Sequence, residues 1–314
     1  NIVFGVVSAD GTQQLPTLTK ATLAQHGAES VLETIVEGIE RVVEDARKSH
    51  GIRREEFAGV GVGAPGPLDR AKGLVIVAPN LHWHNFPLRD RVAGGVGLKV
   101  TLDNDANCAT LGEWWLGAGR GSKIMLGLTI GTGIGGGLII DGKLFHGASD
   151  VAGEVGHTTI ETQGRRCACG NYGCLEAYAS GTAIAERARE AFATSDSPII
   201  RELAKGDPEQ ITAQTVFVAA TRGDALALEV VRDTAKFLGT GVANLLNLFN
   251  PEVVVLMGGV TAAGNTLFDP LLAEVRRRAF RPAWEGTRIL PGTLPGSAGV
   301  VGAVATFLHQ HPIA

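Results

Sequence analysis

Three of the four cysteines in this 314-residue chain fall within eight positions, Cys167-Ala168-Cys169-Gly170-Asn171-Tyr172-Gly173-Cys174, and His157 stands ten positions upstream of the first. No other feature limits the fold so tightly, because bringing these side chains together forces residues 157–174 into one compact loop. Three thiolates and an imidazole are the closed tetrahedral set that Zn²⁺ takes in structural sites, with no position left for a catalytic water. Gly170 and Gly173 permit the sharp turns needed for the sulfurs to converge. The alternative is a group of buried thiols or a disulfide, and C-x-C is too tight for easy disulfide geometry. The spacing predicts a loop held by metal, with the chemistry beside it. Cys108 stands apart and reads as a small buried packing residue.

With 45% hydrophobic residues and 43 glycines, the chain is long enough for two ordinary cores. Its net charge of −4 lacks the basic footprint of a nucleic-acid binder. No apolar run approaches the roughly 20 residues that span a bilayer, so no membrane partner is expected. The opening Asn1-Ile2-Val3-Phe4 has no basic region of a secretory signal, and clustered reduced cysteines fit a cytoplasmic setting.

Short β-rich runs alternate with helical patterns, the signature of an α/β protein. Strands are expected at 2–7, 60–63, 98–102, 124–130, 138–140 and 253–256. Helices are expected at 31–47, 111–116, 175–192, 215–221, 225–249, 267–280 and 298–308. Residues 117–122, rich in glycine, read as a hinge. The expected division is a small N-terminal lobe, 1–117, on which a C-terminal helix, 298–314, packs back, and a larger lobe, 118–297, carrying the cysteine loop.

Gly131-Thr132-Gly133-Ile134-Gly135-Gly136 matches G-x-G-x-x-G, but a dinucleotide fingerprint leads into a helix and here a strand follows. A strand, a glycine turn over 131–137 and a second strand can instead offer N–H groups and the Thr132 hydroxyl to phosphate. Residues 117–123 miss the P-loop pattern, since Ser122 occupies the position of its last glycine. Asp103 and Asp105 end a strand expected to be parallel, where open α/β sheets place their binding crevice. Glu154 and Glu176 flank the cysteine loop, so pinning that loop gathers carboxylates with Asn104 into a site suited to a polyhydroxylated ligand. Taken singly, Asp105 reads equally well as a helix N-cap, Glu176 as a cap and Glu154 as a solvated surface residue.

These residues resemble the ROK group of repressors, open reading frames and sugar kinases, and within it the bacterial ATP-dependent glucokinases. The resemblance spans the chain through Gly63-Ala64-Pro65-Gly66-Pro67, Pro79-Asn80 with Trp83, Asp103-Asn104-Asp105-Ala106-Asn107, the 131–137 glycine string, Glu154-Val155-Gly156-His157, the cysteine motif and Gly258-Gly259. It implies an actin-like (ribonuclease H-like) sugar kinase fold, with two α/β lobes around a cleft. It implies transfer of the γ-phosphate of Mg²⁺-bound ATP to the 6-hydroxyl of glucose, with Asp105 as base. Asn104, Glu154, His157, Glu176 and the Gly66 backbone would hold the sugar. Thr132, Gly133, Gly258 and Gly259 would meet the nucleotide, and His157, Cys167, Cys169 and Cys174 would bind structural Zn²⁺.

Members of the group open with an Asp-x-Gly-Gly-Thr phosphate turn, and Asn1 aligns with the residue just after it. The intact protein is therefore expected to carry roughly ten more residues, one short strand and its loop. The pocket residues leave open mannose, fructose, N-acetylmannosamine or N-acetylglucosamine as acceptor, and polyphosphate as donor. A sugar-sensing regulator and a non-catalytic sugar-binding protein are the other classes. A homodimer or homotetramer is expected, since symmetric assemblies are common.

Overall fold

The computed structural model describes residues 1–195 and 197–312 and divides into two compact α/β units. Unit 1 comprises Asn1–Gly121, Gly137–Gly153 and the described residues from Thr293 on; unit 2 comprises Ser122–Gly136 and Glu154–Gly292.

The first stretch of unit 1 opens with β1 (Ile2–Phe4), paired antiparallel with β2 (Leu18–Lys20). In α1 (Ala28–His50), buried Val31, Leu32, Ile35, Ile39, Val43 and Ala46 recur at helical spacing, and Arg47, Lys48 and His50 sit in the last turn, where cations suit the helix dipole. Next come β3 (Val60–Ala64), the antiparallel meander β4 (Leu68–Asp69), β5 (Leu74–Ala78) and β6 (Trp83–Phe86), then α2 (Leu88–Val96), β7 (Val100–Asn104) and α3 (Asp105–Trp115). The meander and α2 were not anticipated from sequence; β4 is too short to show a period. Strands β3 and β7 run parallel, with Gly63 opposite Asp103 and Ala64 opposite Asn104.

Strand β8 (Met125–Ile130) leads through Gly131-Thr132-Gly133 into β9 (Ile134–Ile140), which begins in unit 2 and ends in unit 1. The turn is shorter than the 131–137 string, and Gly135 to Gly137 lie within the strand. Asp141 and Gly142, both at positive φ, close a tight hairpin to β10 (Lys143–Leu144).

In unit 2 the helix expected over 175–192 is two, α4 (Glu176–Ala179) and α5 (Gly181–Phe192), because Ser180 is extended and its hydroxyl caps α5 at Ala183 N–H. Helices α6 (Pro198–Leu203), α7 (Ala213–Thr221) and α8 (Ala225–Phe249) follow. Asp224 caps α8 and Asn250, in the left-handed conformation, ends it. Strand β11 (Val253–Met257) is buried throughout, as its unbroken apolar run requires. After α9 (Asn265–Arg278) come α10 (Arg281–Gly286) and β12 (Arg288–Pro291), two short elements without a sequence period. Strand β11 runs parallel to β8 on one side and β12 on the other.

The chain returns to unit 1 as α11 (Ala298–Gln310), packed on α3 and β3. Gly302 lies so close to the Cys108 carbonyl that a Cβ would overlap it, which lets the two helix backbones touch. Residues 313 and 314, the end of the helix expected over 298–314, lie outside the described residues. At the end of α3 the Glu113 side chain, 1% exposed, accepts from the N–H groups of Ala118, Thr293 and Leu294 and from the Thr293 hydroxyl. Within unit 1 it ties together the segments where the chain departs near Gly121 and re-enters after Gly292. Among the described residues no helix is long and apolar enough to cross a membrane.

Candidate active site and metal centre

In unit 1 the candidate residues cluster at the β7–α3 junction. Asn104, the last residue of β7, is the N-cap: its Oδ1 accepts from Ala106 N–H at 2.9 Å and Asn107 N–H at 3.2 Å. Its Nδ2 donates to the Gly66 carbonyl at 3.5 Å, so Gly66 and Asn104 share one corner. With the cap supplied by Asn104, Asp105 becomes the first helical residue, and its carboxylate accepts from Ala106 N–H at 2.8 Å. Asp105 stays reachable by solvent, yet desolvation by the surrounding protein raises its pKa. Two residues earlier, Asp103 is fully buried. Burial alone would raise its pKa, but the hydrogen bond and charge of His146 and the charge of Arg70 hold it below the usual carboxylate value.

In unit 2 the four metal-ligand candidates converge. Single ligand atoms of His157, Cys167, Cys169 and Cys174 all lie within 4.8 Å of one another. Cys169 Sγ stands 3.7 Å from Cys174 Sγ, and Cys167 Sγ stands 3.7 Å from His157 Nδ1. Tetrahedral bonds of the usual Zn–S and Zn–N lengths would set ligand atoms roughly 3.6–3.8 Å apart, so the cage fits zinc. Burial pushes the Cys167 thiol up to about 12 and raises Cys174, while the Asn171 N–H lowers exposed Cys169. A bound cation would reverse the first two and ionise the thiols.

The loop is stitched by its own backbone. Cys167 N–H donates to the Asn171 carbonyl at 2.8 Å, Gly173 N–H to Arg165 at 2.8 Å and Leu175 N–H to Thr158 at 2.9 Å. The Tyr178 hydroxyl accepts from Arg165 N–H at 2.7 Å and fastens the loop to α4. While Nδ1 of His157 faces the sulfurs, its Nε2 faces Glu154 Oε2 at 3.9 Å, so one ring nitrogen would be available to a metal and the other to the Glu154 side.

Glu176 joins this loop to the glycine turn. Its Oε1 is 3.7 Å from Cys167 Sγ and 4.0 Å from His157 Nδ1, and its Oε2 accepts from Ile134 N–H at 2.8 Å. A Cβ on Gly133 would stand against Oε2 of that carboxylate, which would have to move aside to admit it. Thr182 donates to the Thr132 carbonyl at 2.9 Å and Gly181 N–H to Gly131 at 2.8 Å, fixing the turn on α5. Gly258 follows β11 with φ of +99°, its backbone against the end of β8, and Gly259 continues from it.

The sequence matches the ROK family over residues 2–310. The chain belongs to the ROK family. It is 41% identical to a glucokinase of Thermotoga maritima over 98% of this chain and 93% of that protein. It is also 35% identical to a xylose repressor of Caldicellulosiruptor bescii, over 90% of this chain and 69% of that protein. Among solved structures it resembles a ROK family glucokinase from Streptomyces griseus, in complex with glucose and AMPPNP, with a TM-score of 0.83, 36% identity and coverage of 96% of this chain and 94% of that one. This ROK chain thus has the actin-like sugar kinase fold.

Sequence reasoning missed the partners of Asp103. Arg70 and His146 lie 33 residues before and 43 after it, and no local pattern marks either.

Proposed function

We propose that this ROK protein is an ATP-dependent glucokinase. Asn104, the Gly66 backbone, Glu154, His157 and Glu176 hold the sugar hydroxyls. Thr132, Gly133, Gly258 and Gly259 line the path of the nucleotide. The 6-hydroxyl oxygen attacks the γ-phosphorus of ATP, the bond to the bridging oxygen breaks, and ADP departs with that electron pair. Asp105 orients the hydroxyl and takes its proton. A carboxylate suffices because phosphoryl transfer is mostly positioning and electrostatics, and a raised pKa makes it a better acceptor than an ordinary aspartate. Mg²⁺ enters with ATP and neutralises charge on the phosphates. His157, Cys167, Cys169 and Cys174 would hold a structural Zn²⁺, which would keep the sugar-binding loop in place.

The observation that carries this reading is the double engagement of Glu176. One carboxylate braces the phosphate-type turn at Ile134 and stands against the metal loop, which supports a sugar and a phosphate being handled side by side. ADP release should be followed over glucose, mannose, fructose and the N-acetylhexosamines, with ATP or polyphosphate as donor. Glucose with ATP should give the highest kcat/KM, and Asp105→Asn should lose turnover while still binding glucose. Turnover on a different hexose alone, or an active Asp105→Asn variant, overturns the assignment.

Similarity to the xylose repressor supports a second reading, a sugar-responsive regulator. Sugar-dependent DNA binding without phosphate transfer would establish it. The enzyme reading further expects a homodimer or homotetramer in a reducing cytoplasm, which light scattering and fractionation test.

A further inference from the structure

Asp105 has no side-chain partner among the described residues; its carboxylate bonds only within its own turn, to Ala106 N–H. Its direction is therefore set by the backbone of the β7–α3 junction, and Asp103 pins that backbone. Asp103 Oδ1 accepts from Asn104 N–H at 2.8 Å and from Asn107 Nδ2 at 3.1 Å. Its Oδ2 accepts from His146 Nε2 at 2.8 Å and pairs with Arg70 Nε at 3.2 Å. With an anionic Asp103 as its partner, His146 Nε2 serves as the donor of this hydrogen bond.

These partners come from separate segments of unit 1: Asn107 from α3, Arg70 from the turn after β4 and His146 from the loop after β10. Asp150, from that same loop, holds Arg70 in turn, accepting from its N–H at 3.3 Å and meeting its Nη1 at 3.5 Å. A charged cluster built on a buried carboxylate is a poor way to gain stability, since desolvation offsets much of the attraction and apolar replacements are often neutral or better. What it does supply is a fixed geometry, because Oδ1 accepts two hydrogen bonds and Oδ2 one, with the Arg70 guanidinium charge alongside.

We propose that Asp103 and His146 are positioning residues for phosphoryl transfer: together they hold the β7–α3 junction so that Asp105 points at the sugar hydroxyl. The inference rests on the kinase reading above. Neither residue touches substrate; both act through the backbone that presents Asp105.

The test is steady-state kinetics of the full-length, zinc-loaded chain carrying Asp103→Asn, His146→Ala or His146→Gln, with glucose affinity measured by calorimetry and Tm by calorimetric melting. Asparagine would turn an N–H₂ toward donors that need an acceptor. Asp103→Asn should lower kcat about 100-fold, the effect of a displacement on the order of 1 Å, with ATP KM within about threefold of wild type and glucose Kd weakened far less than kcat, since Asn104 shares the displaced junction. His146→Ala should lower kcat about tenfold, and His146→Gln, which places a donor near the Nε2 position, should recover most of that. If Asp103→Asn does not fold, the two His146 variants decide the matter alone. A lower Tm with kcat per glucose-binding site unchanged in His146→Ala, or equal kcat losses in His146→Ala and His146→Gln, overturns the inference. A wild-type chain that phosphorylates no hexose removes the kinase reading instead, and this one with it.

Discussion

Replacing Glu113 by alanine should destabilise unit 1 more than any surface change, because one carboxylate serves four donors from two separate segments. Ala118 N–H at 2.8 Å, Thr293 N–H at 3.1 Å and the Thr293 hydroxyl at 3.3 Å converge on Oε2, and Leu294 N–H reaches Oε1 at 2.8 Å. Truncation strands three main-chain N–H groups, each costing about 1–3 kcal/mol where water cannot reach. Thr293 is exposed, and Ala118 and Leu294 are half-buried, so water relieves part of this. The low end applies, and the loss is about 3 kcal/mol. At roughly 2–4 °C per kcal/mol for a protein of this size, Tm should fall by about 6–12 °C. Glu113→Gln should fall between, since an amide offers one acceptor oxygen and turns its N–H₂ toward a remaining donor. Calorimetric melting of the three proteins, with trypsin cleavage at Arg120 as a local readout, checks the chain of reasoning. Glu113→Ala melting within 2 °C of wild type, or cutting at Arg120 at the wild-type rate, would refute the view that this carboxylate anchors both segments.

Cys169→Ser removes the exposed ligand of the metal cage; zinc content by mass spectrometry should fall from about one per chain to near zero, and glucose affinity should weaken as the loop bearing Glu154 and His157 loosens. Normal glucose binding in that variant would make the metal remote from the site. Gly133→Ala should push the Glu176 carboxylate off Ile134 N–H and raise the KM for glucose about tenfold, the worth of one hydrogen bond to a charged group; an unchanged KM would separate Glu176 from the sugar. Asp103 and Asp105 should titrate on opposite sides of 3.8, Asp103 below and Asp105 above, as read from their ¹³C carboxyl shifts. By linkage, Asp103 contributes stability above its unfolded value that is lost as pH falls through its lowered folded value. Asp105 contributes stability at low pH that is lost as pH rises through its raised folded value. The reverse order of the two midpoints would contradict the environments described for them.

How far the sequence could be read depended on whether a property was local. The metal cage was legible because three of its four ligands lie within eight residues and their chemistry admits few alternatives. Helix α8 was legible at both ends because Asp224 and Asn250 are short-range signals, whereas the break at Ser180 was hidden inside a run that is helical on either side. The Asp103-Asn104-Asp105 triplet lies at the boundary of what a pattern can tell. All three are polar, all three suit a helix start, and a strand buried on both faces gives no alternation to sort them. Only when α3 starts at Asp105 does Asn104 become the cap, and only when Arg70 and His146 arrive from distant segments does Asp103 turn inward as a buried anion. Asp105 is left, by elimination in space, as the carboxylate open to solvent and short of partners. A base for phosphoryl transfer needs that condition, since a carboxylate already engaged by a cation would have little affinity left for the proton of a sugar hydroxyl.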